Sequence, residues 1–462
     1  LPVNINPIVN FAKGCVEASP TDQELAQLSG AIQTIENNDA TYAVACSALL
    51  PDVSENKGRW VYVTDTQKHL YSNGEEWEDM YNSTLVIKCN LFYWGSAYQP
   101  SNAASVARSS PVQEFTSGAD WKTLAEGPKQ PGAIKTDGTL WSWGSNQWGN
   151  LANNSSGVSD TMSSPVQEIT SSTNWCYMND LSAVKTDGTL WMWGCGSGEL
   201  MVNVSISVCN SSPVQEYTSS TNWCYINRIT GQKAVGIKTD GTLWLAGNDS
   251  SYGTMGVNTC GINYSSPVQE ITSSTNWKKS KFASNFSVQA LKTDGTLWAW
   301  GTPFCGTIGR SGENRSSPIQ ENCSFTNWCE IGSGSSMTTN GIRADGTMWS
   351  FGPDCAGGAL ALGFIPCFCR VYEACQEYCS ATNWYKIGTA FDATGSAIKT
   401  DSTLWAWGCN CNGSQIPMNI GAYTCSLSPV QEISSVACWT QVSTKFWLGL
   451  GLQQKNTGFN EP

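Results

Sequence analysis

Twenty cysteines, a lone histidine and two long series of carboxylates are the residues of this 462-residue chain that could do chemistry. The first series is Asp137, Asp187, Asp240, Asp294, Asp345 and Asp401, each inside KTDGT or the variants RADGT and KTDST. Six equivalent carboxylates could ring a cation. Asp is also what a tight turn selects, because its side chain bonds its own backbone two residues on, and the structural reading is preferred. The second series, Glu114, Glu168, Glu216, Glu270, Glu321, Glu377 and Glu432, closes SSPVQE or a variant of it. It reads as solvated loop edges, with a polar rim for a partner as the sharper alternative. His69 lies outside both series and has no GxSxG or HExxH text beside it, so no general base is assigned. GCGSGE at 194–199 lacks the strand–helix setting and the Lys of a phosphate cradle. No catalytic residue, cofactor or metal is assigned, and the reading is not an enzyme.

The cysteines say more. CFC at 367–369 and CNC at 409–411 bring sulfurs close, but paired CxxC knuckles are missing, which argues against zinc. Twenty thiols are too many for a reducing cytosol and point to an oxidising compartment, with buried free thiols as the alternative. Candidate pairs staple single loops: Cys195 with Cys209, Cys305 with Cys323, Cys355 with Cys367 or Cys369, and Cys409 or Cys411 with Cys425. Each loop closure would contribute about 3 kcal/mol. Cys176, Cys224 and Cys329 follow a repeated Trp and could pack between units or bridge to a neighbour. The same loops carry Asn-x-Ser sequons at Asn153, Asn203, Asn210, Asn248, Asn263, Asn314 and Asn412, candidate N-glycosylation sites of an extracellular protein.

Charged residues are only 13% of the chain and the net charge is −12, which disfavours nucleic acid and anionic membrane as partners. No apolar run is long enough for a membrane span. The first residue, Leu1, suggests a processed or trimmed start.

What positions these groups is a repeat. The Asp series recurs every 50 to 56 residues, too long for ankyrin or tetratricopeptide units. Around each Asp-Gly pair the text is strand–turn–strand, as in GAIKTDGTLWSWG, and a two-residue turn with both residues at positive φ is expected. Each unit adds an SSPVQE-like segment and a following Trp: Trp121, Trp175, Trp223, Trp277, Trp328, Trp384 and Trp439. Accepting NLFYWG (90–95) as a degenerate hairpin makes seven units, which predicts a seven-bladed β-propeller. Its first blade would be completed by CWTQVSTKFWLGLGLQ (438–453), so the two ends of the ring pair with each other.

KTDGTLWSWGSNQWGNLA at 135–152, with its recurring relatives over about 85–453, resembles the regulator of chromosome condensation repeat family. That resemblance implies a seven-bladed propeller. The founding member's nuclear role, nucleotide exchange on a small GTPase at chromatin, is not carried over to an acidic, Cys-rich chain without a basic tail. WD-repeat and kelch signatures are absent.

Residues 1–84 form a separate N-terminal assembly module of α+β type. Leu1, Val3, Ile5, Val9 and Phe11 share one face of an extended strand that Pro2 and Pro7 keep at a sheet edge. A helix follows Ser19-Pro20, with Leu25, Leu28, Ile32 and Ile35 as its stripe. A hairpin turns at Asn73-Gly74, in text similar to small β-modules of virion appendages. The terminal strand either folds back or pairs with another copy, and the second gives a head-to-tail assembly. The combined expectation is a mainly β, non-enzymatic extracellular protein. Residues 85–462 would be the propeller of a subunit in a surface filament or virion appendage, with copies of itself as partners. A secreted module recognising a protein or glycan is the alternative, and an intracellular guanine nucleotide exchange factor the third reading.

Overall fold

The computed structural model divides the chain into two units, Leu1–Val86 and Ile87–Pro462. In the first, the structure describes the strands β1 (Tyr42–Val44), β2 (Trp60–Val63), β3 (Lys68–Ser72) and β4 (Trp77–Asp79). In the second it describes the strands and turns of 89–454. Excepted are 96–107, 196–200, 202–208, 304–308, 334–337, 354–358, 364–369, 389–393, 410–424, 433–437 and a few positions in shorter turns. The expected N-terminal strand and helix lie outside the described residues, as does Cys305. Every described element is a strand.

In the first unit the sheet order is β1-β2-β3-β4. β3 and β4 flank Asn73-Gly74 and pair antiparallel, with Ser72 opposite Trp77. β1 runs parallel to β2, a pairing that the alternation of residues alone does not encode.

In the second unit, seven four-stranded antiparallel blades follow one another, the first two joined into one eight-stranded sheet by a single bridge between Cys89 and Trp121. Blade 1 takes β5 (Cys89–Gly95) and β6 (Arg108–Gln113) from its start. Blade 2 holds β7 (Trp121–Leu124), β8 (Gly132–Lys135), β9 (Leu140–Ser145) and β10 (Thr161–Gln167). Blade 3 holds β11 (Trp175–Asn179), β12 (Ser182–Lys185), β13 (Leu190–Cys195) and β14 (Cys209–Gln215). Blade 4 holds β15 (Trp223–Ile229), β16 (Lys233–Lys238), β17 (Leu243–Gly247) and β18 (Tyr264–Gln269). Blade 5 holds β19 (Trp277–Ser284), β20 (Ser287–Lys292), β21 (Leu297–Gly301) and β22 (Arg315–Gln320). Blade 6 holds β23 (Trp328–Ser333), β24 (Thr339–Arg343), β25 (Met348–Pro353) and β26 (Arg370–Gln376). Blade 7 holds β27 (Trp384–Ile387), β28 (Thr394–Lys399), β29 (Leu404–Cys409) and β30 (Cys425–Gln431). β31 (Trp439–Lys445) and β32 (Leu448–Gln454) return to blade 1, where β32 pairs with β5 from Leu448–Gly95 to Gln454–Cys89. The ring is closed by its own two ends, so neither is left as an unpaired edge.

The recurring text is a hydrogen-bonded relay. In blade 3 the Asp187 carboxylate accepts from Thr189 N (2.9 Å) and Thr189 Oγ1 (2.6 Å), and Thr189 Oγ1 accepts from Trp191 Nε1 (2.8 Å). The same three bonds recur at Asp137, Asp240, Asp294, Asp345 and Asp401. These carboxylates are therefore turn-builders. The preceding Lys lies between two indoles: Lys185 Nζ is 4.7 Å from the Trp175 ring and 4.6 Å from the Trp191 ring. Each such contact contributes about 0.5–1 kcal/mol.

The turn differs from the two-residue form expected. Gly188 N bonds Lys185 O (2.9 Å), Lys185 N bonds Thr189 O (3.0 Å), and Gly188 alone has a positive φ, of 77°. This is a type I turn followed by a left-handed residue, a three-residue loop. Asp keeps ordinary φ because its carboxylate is already committed to Thr189. The left-handed residue also receives the next blade: Trp223 N donates to Gly188 O at 2.9 Å. At the equivalent Gly138 of blade 2, a Cβ would fall inside the Thr173 carbonyl of the linker to blade 3. Blade 7 places Ser402 there instead, at φ 63°. Ser402→Gly should stabilise the protein by about 1 kcal/mol by relieving the left-handed serine, and Gly138→Ala should destabilise it by about 2 kcal/mol. Chemical denaturation of the two variants measures both signs, and a stabilising Gly138→Ala would contradict the assignment.

Candidate functional site

The Glu series does not sit at solvated edges. Glu114, Glu168, Glu216, Glu270, Glu321, Glu377 and Glu432 are all at most 2% exposed. The reason is local. Glu168 ends the outer strand of blade 2, and its carboxylate accepts from Thr170 N (2.7 Å), Thr170 Oγ1 (2.9 Å) and Ser172 N (2.9 Å) of the linker. It also accepts from Trp175 Nε1 (3.2 Å), the first residue of the next blade. Glu216, Glu270 and Glu377 reach Trp223, Trp277 and Trp384 in the same way. Neither the solvated reading nor the partner-binding rim survives, because the carboxylates are spent on the seam between blades.

The sulfurs also fall differently from a uniform loop-staple scheme. A disulfide joins Cys195, at the end of β13, to Cys209, at the start of β14. Cys425 is disulfide-bonded, and Cys409 stands opposite it in register. Cys323 is a free thiol. It lies beyond the far end of β22, where its N–H donates to Glu321 (2.5 Å), so it stands at the wrong end of the outer strand to staple the preceding loop. Cys305, Cys355, Cys367 and Cys369 lie outside the described residues. Cys176, Cys224 and Cys329 are free thiols and form no bridge, and Cys176 and Cys329 pack against the apolar clusters that span blades 3–4 and 6–7. Their thiols donate to Val184 O, Ile237 O and Ile342 O within their own hairpins, at 3.3, 3.4 and 3.3 Å. Burial pushes all three thiols up, so they are poor nucleophiles. Of the sequons, Asn263 and Asn314 are exposed, Asn153, Asn210 and Asn248 are half-buried, and Asn203 and Asn412 lie outside the described residues. His69 pairs opposite Tyr62 in the N-terminal sheet.

What sequence reading missed is the axis of the ring. The innermost strands of successive blades pack against one another, and the second residue after each leading Trp belongs to this lining. Those residues are Thr123, Tyr177, Tyr225, Lys279, Glu330, Lys386 and Gln441. Alignment on the Trp puts them in one column of mixed residue types, but the preceding column, from Lys122 to Thr440, is mixed as well, so the string does not mark the lining. Glu126, just past β7 in blade 2, adds a second carboxylate. It meets Lys281 of blade 5, Nζ to Oε2 at 3.5 Å, across the ring. Lys279 is ion-paired with Glu330. Tyr177 and Tyr225 stack with centroids 5.1 Å apart, and the Tyr225 hydroxyl donates to Ser280 O at 2.7 Å.

Burial alone would push the Glu126 carboxyl up, but the combined pull of Lys279, Lys281 and Lys386, with the nearby Tyr177 hydroxyl, outweighs it and holds the group at about 2. Burial and the neighbouring Lys279 push Lys281 down, and the same two causes lower Lys386. For Lys279, burial is outweighed by Glu126 and Glu330, which raise it. Both tyrosines are raised by burial and stay neutral. The result is a buried ion network with no nucleophile beside a base. Among the described residues no group of His, Cys, Asp and Glu is placed to hold a metal ion, and no helix is long and apolar enough to cross a membrane.

The fold is a seven-bladed β-propeller. No family model and no curated protein matches the chain in sequence. Solved structures match in fold. Yeast RCC1 (Prp20) bound to Kap60 superposes with a TM-score of 0.65 at 14% identity, over 80% of this chain and 90% of that one. Prp20p from Saccharomyces cerevisiae gives 0.64 at 14% identity, over 80% and 92%. Human WBSCR16 gives 0.61 at 12% identity, over 80% and 99%.

The axial network yields a signed prediction. A carboxylate whose folded value lies below its unfolded value stabilises fully above the unfolded value and less as pH falls toward the folded one. Glu126→Gln should cost about 2 kcal/mol near neutral pH, less than a fully buried pair because 26% of the side chain stays open. The deficit should shrink as pH drops from about 4 toward 2. Urea denaturation across that range tests it, and a pH-independent deficit would show that the charge is not what matters.

Proposed function

We propose that the protein is non-enzymatic and works by protein contact in an oxidising, extracellular setting. One observation carries this reading. Ile169, Tyr217, Ile271 and Tyr378 occupy one repeat position, directly after the seam Glu, and are 48%, 58%, 51% and 66% exposed. They lie at the end of the ring where the TDG turns and the linkers between blades meet. A polar fold that has buried its carboxylates while leaving aromatic and aliphatic side chains open at equivalent places suits docking of another protein. Prp20, which shares the fold, binds Gsp1p and histones, so the scaffold type is compatible with protein partners. The disulfide and the acidic balance favour an extracellular placement over an exchange factor.

The finer reading makes the partner a second copy, in a filament or virion appendage assembled head-to-tail through Leu1–Phe11, with residues 1–84 as the assembly module. N-glycans on the sequon loops would accompany it. The exposed apolar set favours a second reading, a secreted module that recognises a different protein or a glycan. Light scattering of the full chain separates them. Self-assembly predicts large species that dissociate when residues 1–12 are removed, with unchanged circular dichroism. A monomeric full chain rejects self-assembly and leaves recognition. Unchanged assembly after the deletion rejects the strand as the link. Loss of assembly in Tyr217→Ser/Tyr378→Ser assigns the docking surface to the propeller.

A further inference from the structure

Three lysines and two glutamates meet at the axis, and among the described residues their sum is one uncompensated positive charge: Lys279, Lys281 and Lys386 against Glu126 and Glu330. Lys279 is taken by Glu330, and Lys281 by Glu126. Lys386, from blade 7, has no ion pair among the described residues. It lines a small pocket with Lys281, Glu126 and Gln441, which is roomy enough for about two waters.

Gln441 is oriented. Its Oε1 accepts from Leu124 N at 2.8 Å and from Thr123 Oγ1 at 3.2 Å. A backbone N–H can only donate, so the carboxamide oxygen is fixed on it and the amide Nε2–H2 is left to the pocket. Lys281 is 2% exposed, and a buried ammonium shared with one carboxylate at 3.5 Å retains N–H groups to give. Two ammonium groups and one amide thus converge as donors, and the only acceptor charge among them, Glu126, already counts in the sum. A divalent anion would over-neutralise the site, and an apolar molecule would leave the donors unmet.

We propose that this axial pocket is a binding site for one small monovalent anion of the chloride class, held between Lys281 and Lys386 and capped by the Gln441 amide. The anion completes the charge balance of the ring's interior and ties blade 7 and the closing strand β31 to blade 5. Binding to the folded ring and not to the unfolded chain raises stability with anion concentration.

Thermal unfolding of the full chain, with chloride replacing gluconate at constant ionic strength, tests the site. The expected result is an upward shift in Tm of a few degrees that saturates with chloride. Lys386→Gln should abolish the shift and Lys386→Arg should keep it. Gln441→Glu should supply the missing negative charge internally and make Tm independent of chloride. Equal melting of the wild type in the two anions overturns the proposal, as does a chloride response retained by Lys386→Gln. If Lys386→Gln does not fold, chlorine-35 line widths of the wild type decide. Broadening that bromide competes away supports the site, and no broadening beyond that of Gln441→Glu overturns it.

Discussion

A carboxylate taken out of water must be given hydrogen bonds or it will not stay charged, and this ring turns that constraint into its joint. Glu168 and its six counterparts are buried where one blade hands the chain to the next. The linker can satisfy them only by folding tightly around them. In four blades the last donor is the indole of the next blade's leading Trp. Strand end, linker and neighbouring blade are thereby set together. The leading Trp then covers the repeat Lys from one side while the Trp after TDGT covers it from the other. The Asp–Thr–Trp relay fixes that second indole. SSPVQE, TNW and KTDGTLW are three pieces of one seam, which is why they recur together.

Periodic features were legible in the sequence for this reason. The number of blades followed from counting Trp and SSPVQE. Pairing of β32 with β5 followed from a first unit that lacked its Trp-led strands. Features set by three-dimensional direction were not legible. Whether Glu points outward or into the seam is invisible in a string, and counting it as a loop residue led to the wrong environment. The Asp-Gly pair signals a hairpin correctly, but the three-residue loop depends on Thr189 capturing the Asp187 side chain. Cys323 fits a spacing rule for loop staples and fails it in space, because its strand carries it to the opposite end. The axial lining carries no repeated residue, and neither does the column before it, so only the direction of the side chains in space tells the two apart.

Variation at the axis is permitted by the architecture. Six of the seven blades make the seam with Trp, Lys or Arg, Asp and Glu, but the second residue after the Trp faces the interior of the ring and owes nothing to the blade. It is free to be Thr, Tyr, Lys, Glu or Gln, and the only condition is collective: the donors, acceptors and charges of seven blades must be satisfied among themselves or by what enters. Lys281 meets Glu126 from blades that are distant in sequence and in ring order, so the interior acts as a tie between non-adjacent blades. The seam cannot do this, because it joins neighbours only.

The outer strands divide the remaining surface. Each enters from the end where the long loops leave, and there stand the exposed Asn263 and Asn314 and the Cys195–Cys209 bridge. Each finishes at the seam Glu, beside the apolar residues Ile169, Tyr217, Ile271 and Tyr378. Six residues separate the two ends in blade 4, a distance of about 20 Å at the rise of an extended strand. Bulk added at Asn263 or Asn314 would stand at the far end, while the long loops themselves run back to the apolar end, where Ile169 N donates to Ala152 O and Ile271 N to Gly256 O, both at 2.9 Å. Arg228 braces the loop end from within, donating to Leu181 O, Trp193 O and Cys195 O. The ring is thus stiffened at one end by a disulfide and by hydrogen bonds to backbone carbonyls, and carries exposed apolar side chains at the other.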